Sequence, residues 1–238
     1  MNFQATECEF KNRVWFISGI FCSGFSLYWV DHWNVCAALT GLVAGTAYEN
    51  PMLFNRFMTG FFGFATVIVI LAAAIRSWAE SYLHSSVVHD TMLHREKLVA
   101  DGPFRYVRNP LYLGTVLYAF GFGLLASRSG FFLIILGMLL FTFRLILYEE
   151  ANLLQSQGDG YRRYISAVPR LIPALRPRIP PAGARPNWID GFTGEPLLWS
   201  GAVAMLVFTV TKKLPYFWIV FGLGFVIYLV QQHIRRRD

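Results

Sequence analysis

GPFRYVRNPLYLG, residues 102–114, sets two arginines, an asparagine and two prolines at the mouth of an apolar run. Gly102-Pro103 stops any helix arriving from the N-terminal side, and Pro110 restricts Asn109 to an extended backbone. A new helix is therefore expected to begin here. Asn109 is a favoured N-cap and Pro110 a favoured first helical residue, so the first-turn amides point unpaired toward whatever lies in front of them. With Arg105 and Arg108 beside it, this helix start reads as an anion site.

The apolar run 111–127 is joined to the next, 130–148, only by the SRSG turn. Two helices so connected must be antiparallel neighbours, and mirroring about the turn near 128 brings residue 109 opposite residue 148. Tyr148-Glu149-Glu150 thus return to the level of Arg108 and Asn109. Two glutamates ending a helix oppose its dipole and call for a cation. Arg144, one turn deeper in the apolar run FTFRLILY, is a charge that usually faces a partner or a cavity at such depth. The expectation is a pocket at the cytoplasmic membrane boundary, with donors from one helix start and acceptors from one helix end, suited to a zwitterionic ligand. The plainer alternative has Arg105 and Arg108 reaching lipid headgroups while the glutamates form exposed pairs with Arg162 or Arg163.

Composition frames this hairpin. Of 238 residues 55% are hydrophobic, 17% aromatic and 15% charged, too apolar for one soluble domain. An all-α, polytopic transmembrane bundle is expected. Apolar runs fall at about 14–30, 35–48, 57–75, 111–127, 130–148, 197–210 and 215–231, and the short second run leaves six or seven spans. The net charge of +7 gathers where these runs end rather than on one tail, which fits membrane topology and not nucleic acid. Segments 76–110 and 149–196 and the C-terminal RRRD are therefore expected on the cytoplasmic side. The N-terminal side stays open. MNFQATECEFKNR lacks the basic lead of a signal peptide, so the first run is expected to be retained. Cys8, Cys22 and Cys36 show no paired spacing and read as structural. His84, His89 and His94 recur every five residues, about 140° apart on a helix, and so share no metal-binding face.

The third run is expected to continue as a helix beyond the membrane, since no proline or glycine interrupts it until Gly102. ALRPRIPPAGARPNW, 174–188, reads as an extended surface connection. Three parts follow: 1–96 with the N-terminal spans, 97–173 with the hairpin and its cytoplasmic segment, and 174–238 with the connection and a C-terminal hairpin.

LVADGPFRYVRNPLYLG followed by EEANLLQSQGDGYRRYISAVPRLIP resembles the C-terminal half of the isoprenylcysteine carboxyl methyltransferase and phospholipid methyltransferase superfamily. The resemblance covers about 97–173. It implies an integral membrane enzyme that uses S-adenosyl-L-methionine without a Rossmann fold. By motif position, Leu98, Gly102, Tyr106, Arg108, Asn109, Pro110, Tyr112 and Gly114 would form one cofactor wall, Glu149 and Glu150 the other, with Tyr161 and Tyr164 closing over it. Arg108 and the helix start would receive the methionine carboxylate, and a glutamate the ribose hydroxyls or the ammonium. Arg144 and Glu150 are the candidate catalytic residues, Arg144 orienting the polar head or carboxylate of a lipophilic acceptor that enters sideways from the bilayer. Asn109 stands where many relatives have histidine, which keeps hydrogen bonding and removes a titratable group. The acceptor stays open between isoprenylated cysteine, an amine headgroup, a quinone-like lipid and a thiol. The rival classes are an NADPH-dependent sterol-type membrane reductase and a non-enzymatic scaffold or transporter.

Overall fold

Proline and glycine punctuation divides the apolar sequence into helices, and the computed structural model describes residues 3–45, 50–88 and 100–235 of the chain. The helices are α1 Glu7–Lys11, α2 Arg13–Ser26, α3 Val35–Ala44, α4 Pro51–Val88, α5 Pro110–Gly123, α6 Arg128–Ala167, α7 Trp188–Thr193, α8 Pro196–Thr211 and α9 Leu214–Arg235. Among the described residues there is no strand, only an isolated bridge between Asn34 and Ser127. The all-α expectation holds. Helix α4 runs on to Val88, as the unbroken sequence required.

Among the described residues, three stretches are long and apolar enough to cross a membrane: Pro51–Leu83, Arg128–Ala167 and Leu214–Gln231. Pro110–Gly123 and Pro196–Thr211 are apolar but shorter. At 1.5 Å per residue, the 14 residues of α5 rise about 21 Å, less than a hydrocarbon core of about 30 Å. The run at 14–30 gives the 14-residue α2 followed by a 3-10 turn, and the run at 35–48 gives the 10-residue α3.

Two compact units emerge. One comprises Met1–Arg13, Ala74–Thr115 and Leu140–Glu195, the other Val14–Ala73, Val116–Leu139 and Pro196–Asp238. In the second unit the core gathers Val35, Cys36, Phe62, Val69, Phe122, Met205 and Phe217. Its loop before α3 is fixed by Asn34, whose carbonyl caps the helix while its amide donates to the carbonyls of Leu124, Leu125 and Ala126. Thr66 and Thr209 share a 2.8 Å hydroxyl contact between α4 and α8, the kind of polar contact that joins helices where no water competes. Outward on α4, α6 and α9, Val67, Leu71, Leu136, Leu140, Ile219 and Leu223 are exposed, a surface suited to lipid. The first unit holds the polar residues of the hairpin mouth.

Candidate functional site

Gly102 opens a 3-10 turn, Gly102–Arg105, at φ +58, and the Tyr82 ring occupies the space a Cβ would need. Only glycine suits both conditions. The turn buries Pro103 and Phe104, Tyr106 packs its ring 6.1 Å from Trp78, and the next helix starts at Pro110 as expected. Pro110 is fully buried. Tyr112 and Gly114 follow within the first two turns of α5. Leu98, His89 and His94 lie outside the described residues.

The segment 101–108 is stitched to the Pro/Arg-rich connection. The amides of Arg108, Ala174 and Arg178 donate to the carbonyls of Pro169, Tyr106 and Arg105, and Arg105 Nε donates to Ile179 O at 2.9 Å. At the far end Asp101 is buried and its carboxylate accepts the amides of Ala182 and Ala184 at 2.8 and 2.7 Å. Prolines lack the amide for such bonds, so the amides donated from the connection come from Ala174, Arg178, Ala182 and Ala184. Residues 174–187 form neither helix nor strand, and the connection is paired along this edge.

Helix α6 places the acidic doublet. Glu149 and Glu150 lie inside it rather than at its end, because the helix continues through Glu149–Gln157 and breaks only at Gly158, at φ +54 and ψ −125. The expected clash with a helix dipole therefore does not arise, and direct partners supply the compensation. Glu150, 8% exposed, accepts from Asn109 Nδ2 at 3.2 Å and from Arg170 Nε and Nη2 at 3.0 and 2.9 Å. It also faces Arg108 Nη1 at 3.5 Å. The Arg108 side chain is 9% exposed, so neither charge is a solvated surface group. Asn109 donates as well to the carbonyl of Arg170 at 3.1 Å. Mirror pairing across the hairpin thus brings residues 108 and 109 to residue 150, and the alternative pairing with Arg162 is not adopted: Arg162 faces Asp159 on its own helix.

Glu149 is hydrogen-bonded by the Tyr112 hydroxyl, with the positive charge of Arg13 also acting on it. After the break, Tyr161 and Tyr164 are buried with Val168 against Leu153 and Leu154. The Tyr164 hydroxyl donates to the Phe104 carbonyl at 2.8 Å, tying the end of α6 to the 3-10 turn.

Arg144 meets the N-terminal segment. Its Nη2 donates to Glu9 at 2.9 Å and to the Gln4 carbonyl at 3.3 Å, while its own carbonyl accepts the Ala5 amide. Glu9 is held in a capping box with Thr6. The Thr6 amide, and then Arg144, keep the Glu9 carboxyl below its usual range. Phe3 against Phe143 and Phe10 against Tyr148 line the same contact.

A further ion pair joins Arg76 and Glu195 at 2.6 Å. Arg76 also donates to Leu111 O and Thr115 Oγ1 at 3.1 and 2.8 Å. Burial pushes the Glu195 carboxyl up, and Arg76 opposes that shift. Nothing in the sequence pattern marks Glu9, Arg13, Arg76, Asp101, Arg170 or Glu195 as members of this region. Of these, Arg170 in AVPRLIP carried the nearest thing to a signal, being a cation just past the tyrosine pair.

Two polar atoms test whether the region suits a ligand such as S-adenosylmethionine. Like Arg76 Nε, Arg108 Nε and Gln157 Oε1 are buried and, among the described residues, have no hydrogen-bond partner. Buried polar groups are ordinarily paired, and each exception points to a missing partner. One is a cationic donor, the other a neutral acceptor; an amino-acid carboxylate and a nucleoside donor answer them. The residues fit the group. Among the described residues, no cluster of three or more His, Cys, Asp or Glu side chains is placed to hold a metal.

Residues 58–158 match the family model for phospholipid methyltransferases. The protein-S-isoprenylcysteine O-methyltransferase of Schizosaccharomyces pombe is 33% identical over 127 residues, which are 52% of this chain and 52% of that protein. The chain thus spans about half the length of the curated relative it matches. No solved structure matches it significantly. The family-model match contains the 102–114 turn and the acidic doublet, and over such partial lengths the chain is similar to phospholipid methyltransferases and to an isoprenylcysteine O-methyltransferase.

Proposed function

We propose that the protein is a membrane enzyme transferring a methyl group from S-adenosyl-L-methionine to a lipophilic acceptor, with carboxyl methylation of an isoprenylated cysteine as the leading reaction. The observation that carries this reading is the Glu150 cluster, where Arg108, Asn109 and Arg170 converge on one buried carboxylate inside the matched segment. When bound, the cofactor supplies an activated methyl group on a sulfonium sulfur.

The chain's own residues divide the remaining work. Arg108, with Nε unpaired, receives the amino-acid carboxylate, and a guanidinium held by a buried counter-charge needs little reorganisation to do so. Glu150 fixes Arg108 and Asn109 in place. Glu149, held by Tyr112, is the carboxylate for the ammonium or the ribose hydroxyls. Arg144, anchored through Nη2 by Glu9, directs its remaining donors to the acceptor's carboxylate. Tyr161 and Tyr164 exclude water, which strengthens every charge interaction inside.

In this reading the shorter apolar helices also lie in the bilayer, giving six or seven spans. The site and the C-terminus face the cytoplasm, and the acceptor arrives laterally from the lipid. Calorimetric titration of the detergent-solubilised protein tests the cofactor: S-adenosylhomocysteine binds, NADPH does not, and Arg108→Met abolishes the binding. NADPH binding, or unchanged affinity in Arg108→Met, refutes the assignment. Incubating membranes with labelled S-adenosylmethionine then identifies the acceptor, and label on an amine headgroup or a thiol in place of a prenylcysteine ester replaces the leading reaction.

A further inference from the structure

Glu150 and Gln157 are seven residues apart on α6, before the break at Gly158. Seven residues are nearly two full turns, so the two side chains share one helix face about 10 Å apart along the axis. Between them Leu153 and Leu154 pack with Tyr161 and Tyr164 in one apolar cluster. The face therefore carries a charged end, two leucines already covered by the tyrosines, and a neutral amide whose oxygen is buried and, among the described residues, accepts no hydrogen bond.

We infer that Gln157 reads the adenine edge of the cofactor. The inference rests on the methyltransferase reading above and names a specificity residue for it. Three donor groups on the cofactor could meet a lone acceptor: the ammonium, the ribose hydroxyls and the exocyclic amine of adenine. An ammonium is best met by a carboxylate, and Glu149 supplies one in that reading. A hydroxyl needs a single acceptor only. A glutamine amide carries an acceptor and a donor side by side, which matches the exocyclic amine and ring nitrogen N7 of adenine as a two-bond pair. The two-turn separation from Glu150, about 10 Å, is roughly the span of a nucleoside carrying an amino-acid tail. Gly158, at positive φ and with open space on the side where other residues carry Cβ, ends the helix immediately after this amide.

The test uses the full chain in detergent, with S-adenosylhomocysteine and its 6-oxo analogue, in which oxygen replaces the exocyclic amine and turns a donor into an acceptor. The wild-type protein binds the amino form at least about tenfold more tightly, the lower range for such a pair. In Gln157→Leu this ratio falls to near one, through loss of affinity for the amino form. Equal affinities in the wild-type protein overturn the inference without any variant, so a poorly folding Gln157→Leu does not shield it. A ratio that survives in a folded Gln157→Leu overturns it too. If the wild-type protein binds neither compound, the methyltransferase reading itself has failed, an outcome distinct from binding both equally.

Discussion

Replacing Glu150 with glutamine removes the one negative charge on which Arg108, Asn109 and Arg170 converge, while keeping side-chain volume. Glu150 and Arg108 are 10% and 9% exposed as side chains. Taking one partner from so buried a pair leaves an uncompensated charge, at a cost of about 3–5 kcal/mol. Glutamine retains one acceptor oxygen, and Arg170, 37% exposed, can turn to solvent, so its share is discounted. The expected loss is about 3 kcal/mol, or about 6–12 °C in thermal midpoint for a chain of this size. Intrinsic tryptophan fluorescence in detergent measures it. Arg170→Gln should cost about 1 kcal/mol or less by the same assay. The double variant Arg108→Met, Glu150→Leu should recover much of the loss, because apolar replacement removes the desolvated charges together. A Glu150→Gln midpoint within about 1 °C of wild type, against the loss expected above, would refute the buried-cluster reasoning.

Gly158→Ala places a Cβ on a backbone at φ +54, ψ −125, a conformation L-residues avoid, and should cost about 1–3 kcal/mol although nothing obstructs the methyl group. Gly102→Ala combines a positive φ with overlap on the Tyr82 ring, so its loss should exceed that of Gly158→Ala; equal midpoints would contradict this. Glu9 has a folded pKa below its ordinary value of 4.5. The attachment it provides is therefore complete above that value and is lost as pH falls through the lowered one. Protection of the amides of residues 3–13, taken relative to the intrinsic exchange rate at each pH, should fall on acidification, and Glu9→Gln should flatten the response. Asp31, held by Arg128 and the Ser129 amide at about 2, should likewise anchor its turn down to strongly acidic pH, and a Ser129 amide whose protection relative to the intrinsic exchange rate is lost already near neutrality would contradict it.

What the chain announces in one dimension is local. Gly102-Pro103 and Asn109-Pro110 constrain the backbone of their own residues, so the turn and the start of α5 follow without any partner. A four-residue link between apolar runs leaves two helices no choice but to be antiparallel, so the approach of residues 108 and 109 to residue 150 was legible as well. The end of α6 was not, since the apolar run stops near 148 while the backbone stays helical until a glycine at positive φ releases it. Nor were the partners of the charges. Arg170 reaches Glu150, Glu9 reaches Arg144, Glu195 reaches Arg76 and Asp101 holds the amides of 182 and 184, across separations from 20 to 135 residues. Coulomb attraction between desolvated groups depends on distance in space, and a sequence orders residues only along the chain. Which charge lies beside which is thus a property of the folded packing alone.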